Sequence, residues 1–270
     1  MTFSTSRVAA LLVKELAELL RNRAAIVPVL FLALVTVVLP FLITILVPLV
    51  AGEPLANDPE FARAARRVGL PHTMPLSDEG AVQTFIFQQF MLLQLLIPVT
   101  GAMAFAGYSL IGEKQARTLE PLLATPITTT ELLVAKGLGA LLPSLGIMLG
   151  ALVAYVVGMA VLGAPGVVSA VINTHTLLLV LGFGPVAALV ALQVAVLVSS
   201  RVNDPRTAQQ FGALLILPIT GIFVMQFSGV IRLTTVVIVI MVGALLIVWA
   251  LLLLLGVSLF EREAILTRWK

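Results

Sequence analysis

Residues 82–162 read VQTFIFQQFMLLQLLIPVTGAMAFAGYSLI (82–111), GEKQARTLEPLLATPITTTELLVAKG (112–137) and LGALLPSLGIMLGALVAYVVGMAVL (138–162). The two outer blocks contain no Asp, Glu, Lys or Arg. The middle block holds Glu113, Lys114, Arg117, Glu120, Glu131 and Lys136, punctuated by Pro121 and Pro126. A helix rises 1.5 Å per residue, so about 20 apolar residues cross a hydrocarbon layer of about 30 Å. Each outer block is long enough to cross, and the polar block between them must face water, where a soluble partner can reach it.

The rest of the chain repeats this alternation. Hydrophobic residues make up 60% of the sequence, charged residues 11%, and the mean hydropathy is +1.14; soluble domains are about one quarter charged. Six apolar segments, 24–51, 82–111, 137–162, 174–199, 208–230 and 233–260, predict an all-α integral membrane protein with six transmembrane helices. Their continuous apolar runs lack the alternation of barrel strands, and an isolated strand would leave backbone groups unpaired in lipid. The apolar run near 208–230, with Pro218, Gly221 and Gly229, is also compatible with a span broken into a shorter helix and a re-entrant piece. The absence of cysteine excludes disulfides, thiolate metal sites and cysteine nucleophiles. A net charge of +3 and a pI near 9.7 suit lipid headgroups and do not point to nucleic acid.

Short cytoplasmic segments carry an excess of Lys and Arg, which orients the chain. With both termini inside, twelve basic residues are cytoplasmic: Arg7, Lys14, Arg21, Arg23, Lys114, Arg117, Lys136, Arg201, Arg206, Arg262, Arg268 and Lys270. Only four, Arg63, Arg66, Arg67 and Arg232, are outside. This puts the insert 112–136 and the turn 200–207 in the cytoplasm, with a tail at 261–270 and an outer loop at 52–81. Residues 1–23 predict an amphipathic helix lying on the inner membrane surface, or else an extension of the first span into water. Ser4 or Ser6 would cap it, Val8, Leu11, Leu12, Leu16, Leu19 and Leu20 would form one side, and Arg7, Lys14, Glu15, Glu18 and Arg21 the other. Pro59 to Arg67 predicts two helical turns in the outer loop.

Within the insert, Pro121 suits the first turn of a short helix and Pro126 ends it. Thr128 with Glu131 three residues later forms a capping box that opens the third span. Two stretches carry a family resemblance. Glu113-Lys114, the run Arg117-Thr118-Leu119-Glu120-Pro121-Leu122-Leu123-Ala124-Thr125-Pro126-Ile127, and Glu131-Leu132-Leu133 with Lys136 resemble the signature of type-2 ABC exporter permeases, particularly sodium and multidrug efflux permeases. Residues 199–210, SSRVNDPRTAQQ, resemble the cytoplasmic turn before the fifth span of that family.

The resemblance implies a permease in a prokaryotic cell (inner) membrane. It implies pairing with a second transmembrane subunit, usually a copy of the same chain, and with separate ATP-binding cassette ATPase subunits that hold ATP and magnesium. The insert would be the coupling helix, with Glu113, Lys114, Arg117, Thr118, Leu119, Glu120, Leu122, Leu123 and Thr125 as the ATPase-coupling interface. The small outer loop departs from the sodium-efflux relatives, which often carry a larger external domain there.

The chain has no GxxxxGK phosphate loop followed by serine or threonine, so ATP hydrolysis is expected in another polypeptide, and no cofactor is expected in this one. No ionisable residue lies near the middle of a span, where an ion-driven carrier would hold a coupling group. Gln88, Gln89, Gln94 and Thr100 are candidates for lining a pathway, or else for hydrogen bonding between helices. Phe85, Phe87 and Phe90 beside them suggest an interfacial aromatic belt, or else the lining of an exit path. His72 and His175 have no neighbours at metal-ligand spacing. The expected function is export of a hydrophobic or amphipathic molecule, drug or lipid-like, by a non-catalytic transport subunit. The alternatives are a sodium-exporting permease, a membrane enzyme of lipid metabolism using Glu113, Glu120 or Asp204, and a non-transporting assembly factor.

Overall fold

The computed structural model describes residues 3–67, 76–116, 127–201, 205–228, 230 and 233–259, and these are helical with no strand. In chain order the helices are α1 (Thr5–Arg21), α2 (Arg23–Phe41), α3 (Val47–Ala51), α4 (Pro59–Arg67), α5 (Asp78–Gln94), α6 (Leu96–Ala116), α7 (Thr129–Leu162), α8 (Val167–Val171), α9 (Thr174–Leu177), α10 (Gly184–Arg201), α11 (Pro205–Phe227) and α12 (Thr235–Leu259). Two π-helical turns complete the spans: Leu42–Leu46 joins α2 to α3, and Leu178–Phe183 joins α9 to α10.

Five stretches among the described residues are long and apolar enough to cross a membrane: Arg23–Ala51, Asp78–Gly112, Thr130–Leu162, Thr174–Ser199 and Thr235–Gly256. The fifth of the six expected spans coincides with α11, whose described apolar part is Ile216–Phe227. That helix runs unbroken through Pro218, and no separate helical piece lies between Phe227 and Thr235 among the described residues.

The centre of the bundle is the α5–α6 column. Of its most apolar window 83% is buried, against 6% for that of α12, so α12 presents its side chains outward. The column breaks at Leu95, where Pro98 has no N–H to offer the Gln94 carbonyl. Small residues let helices approach closely where lipid supplies no hydrophobic drive. Ala188, Ala191 and Ala195 recur on one stripe of α10 and, with Ala102 and Ala106 of α6, are almost fully buried. Gly101 of α6 has no room for a side chain, because a Cβ there would lie 2.7 Å from that of Ser144 on α7.

At the end of the bundle away from the insert, Phe41, Phe87 and Tyr155 bring α2, α5 and α7 together, with ring centroids 5.1 to 5.7 Å apart. The Tyr155 hydroxyl donates to the Phe87 carbonyl at 2.9 Å. Phe85 and Phe87 are each 1% exposed, which corrects the expectation of an interfacial belt: these rings are core. The helix expected from Pro59 is present as α4, with Asp58 accepting the Glu60 N–H at 2.7 Å.

Candidate functional site

Arg7, Glu15, Glu131 and Lys136 come together where α1 lies along the first turns of α7. Helix α7 has 34 residues and is about 51 Å long, more than a hydrocarbon layer needs, so it can carry charges on its first turns and still span. Thr128 and Glu131 form the capping box expected from their spacing: the Glu131 N–H donates to the Thr128 hydroxyl at 3.2 Å, and the Thr128 N–H donates to Glu131 Oε2 at 2.8 Å. The other carboxylate oxygen accepts the Ser4 N–H at 2.6 Å and meets the Arg7 guanidinium at 3.0 Å. One fully buried carboxylate thus caps α7 and fastens the start of α1.

One turn further on, an apolar seam of Val8 and Leu11 against Leu132 and Ala135 holds the two helices together. Gly139 then lets α1 approach so closely that Glu15 reaches the body of the bundle. Lys136 Nζ lies 2.9 Å from Glu15 Oε1, the Ser109 hydroxyl of α6 donates to Glu15 Oε2 at 2.5 Å, and Lys136 donates to that same hydroxyl oxygen at 2.8 Å. These contacts close a ring joining α1, α6 and α7. Both charged groups are only 5% exposed. Burying two charges costs several kcal/mol per ion unless they are paired and hydrogen-bonded, and the ring supplies both conditions.

This corrects the expected geometry of α1, which assigned Glu15 to the polar, solvent-facing side. Glu15 falls at i+7 from Val8 and i+4 from Leu11, on the buried stripe itself. Asn22 separates α1 from α2 and caps α2 by accepting the Ala25 N–H at 3.2 Å, so α1 is a helix of its own.

The ring flanks the insert on both sides. Ser109 precedes Glu113 by one helical turn, and Lys136 follows the insert's last proline by ten residues. Glu113 and Lys114 occupy the end of α6. Arg117, Thr118, Leu119, Glu120, Leu122, Leu123 and Thr125, with Asp204 and His72, lie outside the described residues.

The pathway candidates do not converge. Gln88 Nε2 donates across to the Ala170 carbonyl of α8 at 3.4 Å, a helix-to-helix bond at the far end. Gln89 and Gln94 are 1% and 0% exposed, and neither side-chain amide has a hydrogen-bond partner among the described residues. Thr100 donates to its own helix at the Leu96 carbonyl, 2.7 Å away. It also lines a cavity of about 210 Å³, with Pro28, Val29 and Leu32 of α2, Met103 of α6 and Ile216 of α11. Apart from that hydroxyl, the side chains named here are apolar. Nine residues of α6, about 14 Å, separate Thr100 from Ser109 of the ring. Sequence reasoning missed the ring and the cavity; the glycine at 139 and the acid on an apolar stripe are the only local signals of the ring.

A family model described as ABC-2 family transporter protein matches residues 9–240. The chain belongs to the ABC-2 transporter family. No curated protein and no solved structure gives a significant match. The matched region runs from within α1 to within α12, so it takes in both flanks of the insert, the ring and the cavity. As an ABC-2 protein the chain is a multi-pass membrane permease of an ABC transporter, in a family whose members are generally non-catalytic transport subunits that normally pair with ABC ATPase subunits.

Proposed function

We propose that this chain exports a hydrophobic or amphipathic molecule, drug or lipid-like, driven by ABC ATPase subunits that dock on the insert. The observation that carries the substrate class is the cavity between α2, α6 and α11, whose lining side chains are apolar apart from Thr100. The Thr100 hydroxyl donates its hydrogen bond to the Leu96 carbonyl, which leaves its oxygen lone pairs to accept one hydrogen bond from a guest. Sites for drug-sized ligands enclose about 300–1,000 Å³. A cavity of about 210 Å³ is smaller than that, which fits a pathway completed by pairing with a second copy of the chain.

The excess of basic residues supports a cytoplasmic side for the insert and both termini, and the likeness to efflux permeases supports a prokaryotic cell membrane. There the ATPase holds ATP and magnesium, and Glu113 to Thr125 form its contact. Outward direction follows from the likeness to efflux permeases. Closure of the ATPases on nucleotide tilts the spans only if nucleotide binds one arrangement more tightly than the other.

Reconstitution of the chain with its ATPase in lipid vesicles tests this reading. A fluorescent amphipathic dye should accumulate on ATP addition, and Thr100→Trp, which fills the cavity, should lower that accumulation while the complex stays assembled. ATP-driven sodium movement with no dye movement would overturn the substrate class.

A further inference from the structure

The ring of Glu15, Ser109 and Lys136 is not accounted for by export as such. A permease needs a path and a contact for its motor; it does not need a buried ion pair at the root of that contact. Replacing a buried ion pair by well-packed apolar residues is often neutral or stabilising, so the ring is weak evidence for a purely stabilising role. Its placement is more specific. Ser109 is on the last turns of the helix that enters the insert, Lys136 is on the first turns of the helix that leaves it, and Glu15 bridges the two from a third element. A second carboxylate, Glu131, holds the start of the same third element through Ser4 and Arg7.

We propose that Glu15, Ser109 and Lys136 are positioning residues that make α1 and both flanks of the insert one rigid body, so that a push on the insert moves α6 and α7 together and is not lost in spreading them apart. This rests on the reading above that the motor acts through the insert. Helix α1 is then a strut, with its length along α7 set by two polar fastenings and an apolar seam between them. Hydrogen bonds and ion pairs suit this task because they fix distance and direction, whereas an apolar contact permits sliding.

The ratio of molecules transported to ATP hydrolysed, measured on the reconstituted complex of chain and ATPase, tests the proposal. The double variant Glu15→Leu/Lys136→Met removes both charges of the buried pair together. It should retain its melting temperature, its assembly with the ATPase and its ATP hydrolysis, while the transport ratio falls by about tenfold. The swap Glu15→Lys/Lys136→Glu restores the pair in reverse and should recover most of the ratio. A double variant that couples as well as the unaltered chain, or a swap as poorly coupled as the double variant, would overturn the proposal. Absence of any nucleotide-dependent transport by the unaltered complex would instead overturn the underlying reading, and the role of the ring with it.

Discussion

Gly139 of α7 faces Glu15 of α1 so closely that a Cβ atom at position 139 would lie 2.8 Å from the Cβ of Glu15. That is below the separation two carbon atoms tolerate, so any side chain there must push the strut outward. Overpacking of this kind costs typically about 1–3 kcal/mol. Gly139→Val should lower the melting temperature of the purified protein more than Gly139→Ala does, and both should fall below the unaltered chain. Equal melting temperatures for all three would show that α1 does not sit on α7 as described.

Glu131 serves α7 and α1 at once, so its variants should separate charge from hydrogen bonding. Glu131→Gln keeps a carbonyl oxygen for one of the Ser4 and Thr128 N–H groups and loses the pairing with Arg7. Glu131→Ala loses every acceptor, and loss of a cap alone costs typically about 1 kcal/mol. Amide hydrogen exchange at residues 4–8 and 128–132 should quicken slightly in the Gln variant and strongly in the Ala variant. Unchanged exchange at residues 4–8 in Glu131→Ala would contradict the fastening of α1.

At the far end of the bundle, Phe41 fits against α7 because residue 158 is glycine: a Cβ there would come within 2.5 Å of the Phe41 ring. Gly158→Leu should therefore disrupt the Phe41, Phe87 and Tyr155 group and give little folded protein by size-exclusion chromatography. Tyr155→Phe removes only the hydrogen bond to the Phe87 carbonyl, about 0.5–1.5 kcal/mol, and should fold with a slightly lower melting temperature. A Tyr155→Phe protein more stable than the unaltered one would count against that bond.

Local and long-range features differ in how far the sequence reveals them. The capping box of Thr128 and Glu131 and the helix from Pro59 are legible because partner and cap lie within a turn of each other. The apolar runs are legible because their length is set by the hydrocarbon layer and not by tertiary packing. The burial of Glu15 is not, because its partner is 121 residues away and an acid beside Lys14 and Glu18 reads as a solvated face. The same limit applies to Phe85 and Phe87, whose buried setting is made by α2, α7 and α11 and not by their own helix. The π-helical turns at Leu42–Leu46 and Leu178–Phe183 leave no mark on the hydrophobic pattern, because periodicity does not encode a single wider turn inside an apolar span.

Gln89 and Gln94 carry buried amides without hydrogen-bond partners among the described residues, and leaving such a group unsatisfied costs about 1–3 kcal/mol. Gln89→Leu and Gln94→Leu should each raise the melting temperature. Gln88→Leu should not, because Gln88 already bonds Ala170. A fall in melting temperature for both Gln89→Leu and Gln94→Leu would mean that their amides are satisfied by groups bound within the bundle.

Docking of the motor on the insert is tested most directly by co-purification of an ABC ATPase with this chain from detergent-solubilised membranes. The unaltered chain should retain the ATPase. The combined variant Glu113→Ala/Glu120→Ala should lose it while keeping the elution volume and melting temperature of the chain alone. An ATPase held equally well by both proteins would contradict the placement of the motor on residues 113–125 and, with it, the route by which ATP drives export.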